Sequence, residues 1–232
     1  MTPNSKNKNR KLGKQRIKVS ENGPYLVSGG IPLFTLTICT DATGDPSGWR
    51  VGKKYPLLES YSLCRCGQSR NKPFCDGTHA KINFNGTETA SREFYIKQAE
   101  RMNGPDIELT DNRSLCSRVR FCHRAGGIWN LIPESGNSKA RAMAIKEAAC
   151  CASGRLVVWD KKTGKQIEPR FQKSIALVEG PQEGASGPIW VRGGIPIESA
   201  DGSTYEIRNR VTLCRCGKSS NKPLCDGSHV SK

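Results

Sequence analysis

The chain has 232 residues, 35% of them hydrophobic and 6% aromatic, with 24 glycines, 13 prolines and a formal net charge of +16. So little apolar material in so turn-rich a chain excludes one large conventional core, and small modules of this kind are commonly tied together by disulfides or metal. Eleven cysteines could supply either tie. Met1 to Ser20 holds no apolar secretory core, and no stretch approaches the ~20 apolar residues of a membrane span, so the expectation is a cytoplasmic protein whose clustered cysteines bind metal.

The positive charge is unevenly spread. Residues 1–20 carry seven Lys/Arg and no acid, 21–100 nine against eight, 101–176 fourteen against seven, and 177–232 seven against six. The excess sits in the tail and the middle third, so whole-chain charge argues poorly for nucleic acid as the partner.

In chain order, residues 1–17 form a Lys/Asn/Gln-rich tail with almost nothing to bury, read as disordered. A first module, 18–86, starts with Tyr25 and Val27 alternating before a Gly-Gly turn. It continues through a strand-like Thr35–Cys39 and through turn chemistry over residues 41–48, which reads as an extended hairpin loop. Across 87–176 the one strong helix signal is Lys139–Ala149, with Ser138 as its expected cap and Ala140, Ala144, Ala148 and Cys151 on one face. A strand over Arg155–Trp159 follows. The last module, 177–232, repeats the first: residues 61–79 match 211–229 at 13 of 19 positions, and 23–33 match 187–197 at 7 of 11. The two offsets, 150 and 164, differ by 14 residues, which places an insertion between Leu33 and Tyr61 of the first copy.

Each copy carries the same donor spacing: Cys64, Cys66, Cys75 and His79, then Cys214, Cys216, Cys225 and His229. Three thiolates and an imidazole at one spacing, twice, is a strong metal signal. Gly67 and Gly217 allow close backbone approach, Pro73 and Pro223 stiffen the return, and Asp76 and Asp226 are placed to cap a helix whose N–H groups would face the sulfurs. Lys72 and Lys222 read as exposed turn lysines.

These loops resemble the CDGSH (mitoNEET-type) iron–sulfur family, with Cys-Asp-Gly-Ser-His complete at 225–229 and a Thr in place of Ser at 75–79. The resemblance implies one [2Fe–2S] cluster per loop, the Cys-x-Cys pair on one iron and the last Cys with His on the other. It also implies an intramolecular pseudo-dimer, because the family unit works as a two-fold pair. A histidine in place of one thiolate leaves the oxidised centre less negative, which raises the potential above that of an all-cysteine centre. Protons then compete for the ligand near its ordinary pKa of ~6.5. A zinc knuckle uses the same donor set and is the alternative, as part of a zinc-stabilised nucleic-acid-binding or structural module.

In the middle segment Cys116, Cys122 and Cys151 resemble a divergent single-cluster ferredoxin pattern, which implies a [3Fe–4S] or [4Fe–4S] cluster. The position expected to supply a ligand between the first two falls near Val119, which cannot bind iron. Candidates for a fourth ligand are Cys150 and His123; unligated, buried cysteines are the other reading. Arg113, Arg118, Arg120 and Arg124 around this loop are either a solvated face or a landing surface for an acidic partner. Cys39 and the four tryptophans, Trp49, Trp129, Trp159 and Trp190, are expected to pack without chemical roles. The whole reads as a mainly β protein with an α+β ferredoxin-like insert. It is expected to be a monomer acting in electron transfer or cluster storage and delivery toward a redox partner or acceptor protein, away from membranes and not as an enzyme.

Overall fold

The computed structural model describes residues 14–180 and 186–230, so the expectation for residues 1–13 lies outside the described residues. The tail ends two residues earlier than expected. β1 (Arg16–Val19) takes Arg16 and Ile17 into a sheet, because Ile17 and Val19 are fully buried there. β2 (Tyr25–Ser28) returns antiparallel against β1; β3 (Leu33–Thr40) and β4 (Pro46–Lys54) form the inserted hairpin; and β5 (Ser60–Leu63) pairs with β2. The hairpin turn is tighter than the 41–48 loop expected. Asp41 Oδ1 accepts from the N–H groups of Thr43 and Asp45, both at 3.0 Å, and Pro46 already belongs to β4.

After a single turn of helix, α1 (Thr78–Lys81), the middle segment runs through α2 (Tyr95–Gln98), β6 (Glu100–Asn103), β7 (Ile107–Asp111), α3 (Ile128–Leu131), α4 (Ser138–Ala149), β8 (Leu156–Asp160) and β9 (Gln166–Ile167). Its strands form an antiparallel sheet in the order β6-β7-β8-β9. Ala144 and Ala148 are buried with Ile107, Leu109, Leu156 and Val158, so the small face of α4 lies on the sheet as its spacing predicts. The cap is Asn137, not Ser138. Its Oδ1 accepts from Lys139 N at 2.8 Å and Ala140 N at 3.3 Å, while Ser138 is already helical.

The last module contributes β10 (Ser174–Glu179), β11 (Ser186–Arg192), β12 (Ile197–Glu198) and β13 (Arg210–Leu213). β10 crosses the expected boundary between 176 and 177 and pairs with β11 from Ser174 onward. The two copies exchange strands. β12 of the second copy runs parallel to β1 in a sheet ordered β12-β1-β2-β5, and β3 of the first runs parallel to β10 in a sheet ordered β13-β11-β10-β3-β4.

That exchange makes one core. Ile17, Tyr25, Val27 and Leu63 are buried in the same cluster as Ile175, Ile189, Val191 and Leu213, each such aliphatic side chain contributing about 1.5–3 kcal/mol of burial. The intramolecular pseudo-dimer follows, since neither copy closes its core alone. Trp49 stacks on Phe121 at 4.9 Å and meets Trp190 at 5.2 Å, joining the inserted hairpin to the middle segment. Trp129 and Trp159 donate to Asp111 and Thr110 beneath the middle sheet. Cys39 sits in β3 opposite Gly48. Among the described residues no helix is long and apolar enough to cross a membrane.

Candidate metal centres

β5 and β13 end directly at Cys64 and Cys214, and the same bonds then fold each loop back. Cys64 N donates to Pro73 O at 2.8 Å and Cys75 N to Ser62 O at 2.9 Å; Cys214 N donates to Pro223 O and Cys225 N to Thr212 O, both at 2.9 Å. Ser69 Oγ donates to Phe74 O at 2.6 Å and accepts from Asn71 N at 3.0 Å, and Ser219 repeats this at 2.7 and 3.0 Å. Sequence reasoning missed these two serines, although they are identical in the repeat.

Asp76 and Asp226 span their loops. One oxygen accepts from Arg70 N or Ser220 N, both at 2.8 Å, and the other from Thr78 N or Ser228 N, both at 3.0 Å. The Arg70 and Thr78 N–H groups hold the Asp76 carboxyl far below its usual range. Burial opposes the same effect at Asp226, where bonds from Ser228 and Ser220 win. The expected helix shrinks to one turn at α1 and to a plain turn at 228–230. One N–H still reaches each sulfur: Gly77 N lies 3.5 Å from Cys75 Sγ, and Gly227 N lies 3.4 Å from Cys225 Sγ.

The eight donors come together in pairs. Cys64 and Cys66 place their sulfurs 3.8 Å apart and Cys214 and Cys216 theirs 3.6 Å apart. Cys75 Sγ lies 3.3 Å from His79 Nδ1, and Cys225 Sγ 3.5 Å from His229 Nδ1. Two sulfurs bound at about 2.3 Å to one tetrahedral ion stand about 3.8 Å apart, so each pair has the span of two ligands on one metal. Among the described residues no three Cys, His, Asp or Glu side chains gather tightly enough to hold a single ion.

Cys214 and Cys216 share one hydrogen bond that favours the thiolate at Cys214 and pushes the Cys216 thiol up. The Cys214 thiol is pulled down to about 6, first by its bond from Cys216 and then, against burial, by the N–H groups of Ser219, Cys216 and Gly217. Burial pushes Cys225 up to about 12 and raises Cys66, so these sulfurs need a cation to become thiolates. Burial, with Arg215 and Arg118 and against Asp226, lowers the His229 pKa, which favours the neutral ring.

Gly67 and Gly217, both with φ of +78°, join the two loops. A Cβ on Gly67 would stand 2.6 Å from Cys216 O, and one on Gly217 2.5 Å from Cys66 O. Lys222 differs from its expected role. It is half-buried, donates to Ser219 O at 2.7 Å, and its carbonyl accepts from Thr89 N and Ala90 N.

In the middle segment Cys116, Cys122 and Cys151 line one cavity with Ser117, Val119 and Arg155. Burial, followed by the nearby Cys151 and Cys116 thiols, pushes Cys122 up to about 12. Ser117 Oγ is buried with no protein partner. Arg118 and Arg120 take left-handed backbone at φ of 54° and 63°, a conformation costing roughly 1–2 kcal/mol at a non-glycine residue. A strained loop around an unpartnered hydroxyl and three thiols fits a multi-iron group. Neither expected fourth ligand reaches the cavity. Cys150 packs against Val119, Phe121 and Ala152 without itself lining the cavity, and His123 stands edge-on to Trp129 at 5.6 Å. Cys150 is the C-cap of α4 and Cys151 the first residue beyond it, and of the two only Cys151 lines the cavity. Of the four arginines, Arg113, Arg118 and Arg120 are exposed, while Arg124 has a buried, unpartnered Nη1.

Comparison with protein families matches residues 22–80 and 186–230 to the iron-binding zinc finger of CDGSH type, and residues 102–161 to the divergent 4Fe-4S mono-cluster family. Neither the curated proteins nor the solved structures give a match.

Proposed function

From a chain that is an iron–sulfur protein, two CDGSH-type segments with a divergent 4Fe–4S mono-cluster segment between them, we propose an electron carrier with three clusters and no catalytic chemistry of its own. Cys64, Cys66, Cys75 and His79 hold one [2Fe–2S] cluster and Cys214, Cys216, Cys225 and His229 a second. Cys116, Cys122 and Cys151 hold a [3Fe–4S] cluster, or a [4Fe–4S] cluster with one iron lacking a protein ligand. When bound, these groups supply one-electron redox chemistry.

The observation that carries this reading is the two-plus-two grouping of the donors. Pairs spanning 3.3–3.8 Å suit two adjacent irons, whereas a zinc knuckle needs all four donors around one ion. Electron transfer is favoured over delivery of the cluster at the second site, because Cys225 is 2% exposed. Delivery remains the second reading for the first site, where Cys75 and His79 are half-exposed. The exposed Arg113 and Arg120 suit an acidic redox partner, whose association would weaken with salt.

Visible spectra with iron and acid-labile sulfide analysis on anaerobically purified protein test the assignment. A coloured protein with about seven or eight irons per chain is expected; colourless protein containing zinc would overturn it.

A further inference from the structure

The two CDGSH-type loops are alike in their bonds but not in what covers them. Gly77 and Gly227 occupy equivalent places, each donating its N–H to the third cysteine of its loop, with φ of 84° and 85°. A Cβ built on Gly77 meets nothing within 4 Å. One built on Gly227 would stand 2.9 Å from Cys116 O and 2.6 Å from Arg118 Cγ. The cysteine loop of the middle segment therefore lies directly against the second loop at Gly227, whereas the equivalent place on the first loop, at Gly77, is open.

Further contacts fix this junction. Asn221 Nδ2 donates to Ser114 O at 3.1 Å, two residues before Cys116. From β13, the fully buried Arg210 donates to Cys151 O at 2.8 Å, to Leu156 O at 3.1 Å and to Ala148 O. From the second loop, the Gly67–Cys216 and Gly217–Cys66 contacts lead on to the first.

We propose that the three sites form a line, with the middle site exchanging electrons directly with the second loop through the Cys116–Gly227–Cys225 contact and reaching the first loop through the second. This rests on the cluster assignment above. In each exchange one electron leaves the reduced middle cluster and enters the oxidised cluster of the second loop. An external one-electron donor, dithionite in the test, reduces the chain at the outset. The path is short because Cys116 O leaves no room for a side chain at Gly227, whose own N–H is bonded to Cys225 Sγ.

Electron paramagnetic resonance on the full chain tests it. His79→Cys shifts the first cluster's potential and signal away from those of the second. In that background, removing the middle cluster by Cys122→Ser is expected to make the second cluster's signal saturate at several-fold lower microwave power, the first cluster's signal staying where it was. Equal changes in both signals, or none in either, would overturn the proposal. A redox titration of the unmodified chain needs no variant: the second cluster's relaxation is expected to change at the potential where the middle centre changes spin, and constancy there overturns the line. Iron at about four per chain would instead overturn the middle cluster itself, a failure separate from that of the line, which requires full iron with unaltered relaxation.

Discussion

The phenol of Tyr25, in the first copy, lies 2.7 Å from the carbonyl oxygen of Cys214 in the second, and 3.0 Å from Pro223 O. The chain thus fastens one cluster loop with a hydroxyl from the other module. The reverse bond is absent by sequence, because the residue equivalent to Tyr25 is Ile189. Tyr25→Phe keeps the ring and removes the bond, leaving two buried carbonyls without this donor. The expected cost is about 1–2 kcal/mol in denaturant unfolding, with faster bleaching of the second cluster than of the first in visible absorbance.

Arg210 links the second module to the middle site. It is 2% exposed, and besides its carbonyl bonds it pairs with Glu168. Replacing it by methionine removes the cation from Glu168, which keeps the bond from Asn209, and takes a charged donor from three buried carbonyls, with an expected loss of about 3 kcal/mol or more. Because Ala148 O, Cys151 O and Leu156 O are among those acceptors, Arg210→Met is expected to lose the middle cluster first. Iron analysis should fall by three or four atoms per chain, as a [3Fe–4S] or [4Fe–4S] group requires, before the signals of the other two weaken.

Cys150 and His123 stand outside the middle cavity. Cys150→Ala and His123→Ala are therefore expected to leave iron content and the middle cluster's paramagnetic signal unchanged, whereas Cys122→Ser abolishes that signal. Loss of the signal in either alanine variant would identify a fourth protein ligand.

His229→Cys replaces a neutral nitrogen by a thiolate and adds negative charge to the centre. The midpoint potential of the second cluster is expected to fall toward that of all-cysteine centres, measurable by redox titration followed in the visible. An unchanged potential would exclude His229 as a ligand.

The loops were legible because a metal site constrains residue type at fixed spacing, and the repeat states that constraint twice. The helix at α4 was legible from the alanines at 140, 144 and 148, since small side chains at helical spacing fit a helix lying close on a sheet. What stayed hidden depends on partners distant in sequence. The strand exchange is set by pairings such as Ile17 with Ile197 and Ile175 with Leu33, and no local pattern at Ile197 names β1 as its neighbour. The cap moved from Ser138 to Asn137 because both residue types can cap, and backbone geometry decides which does. The burial of Arg210 was equally hidden, since an arginine beside a strand reads as exposed until its acceptors arrive from another segment.

Glu147 on α4 is fully buried, and neither carboxylate oxygen has a hydrogen-bond partner. Burial raises its pKa to about 7, with Arg124 opposing. Because the folded pKa lies above the ordinary ~4.3, the native state binds the extra proton between those values, and stability falls as pH rises through that window. Each unit is worth about 1.4 kcal/mol, so the loss between pH 4.5 and 7.5 is on the order of 2 kcal/mol once relaxation around the site is allowed for. Glu147→Gln removes the titrating group. The variant is expected to unfold at higher denaturant than the parent at pH 8, and to lose that advantage by pH 5, where the parent carboxyl is protonated. Parallel stability curves for the two proteins across this range would show that Glu147 does not titrate there.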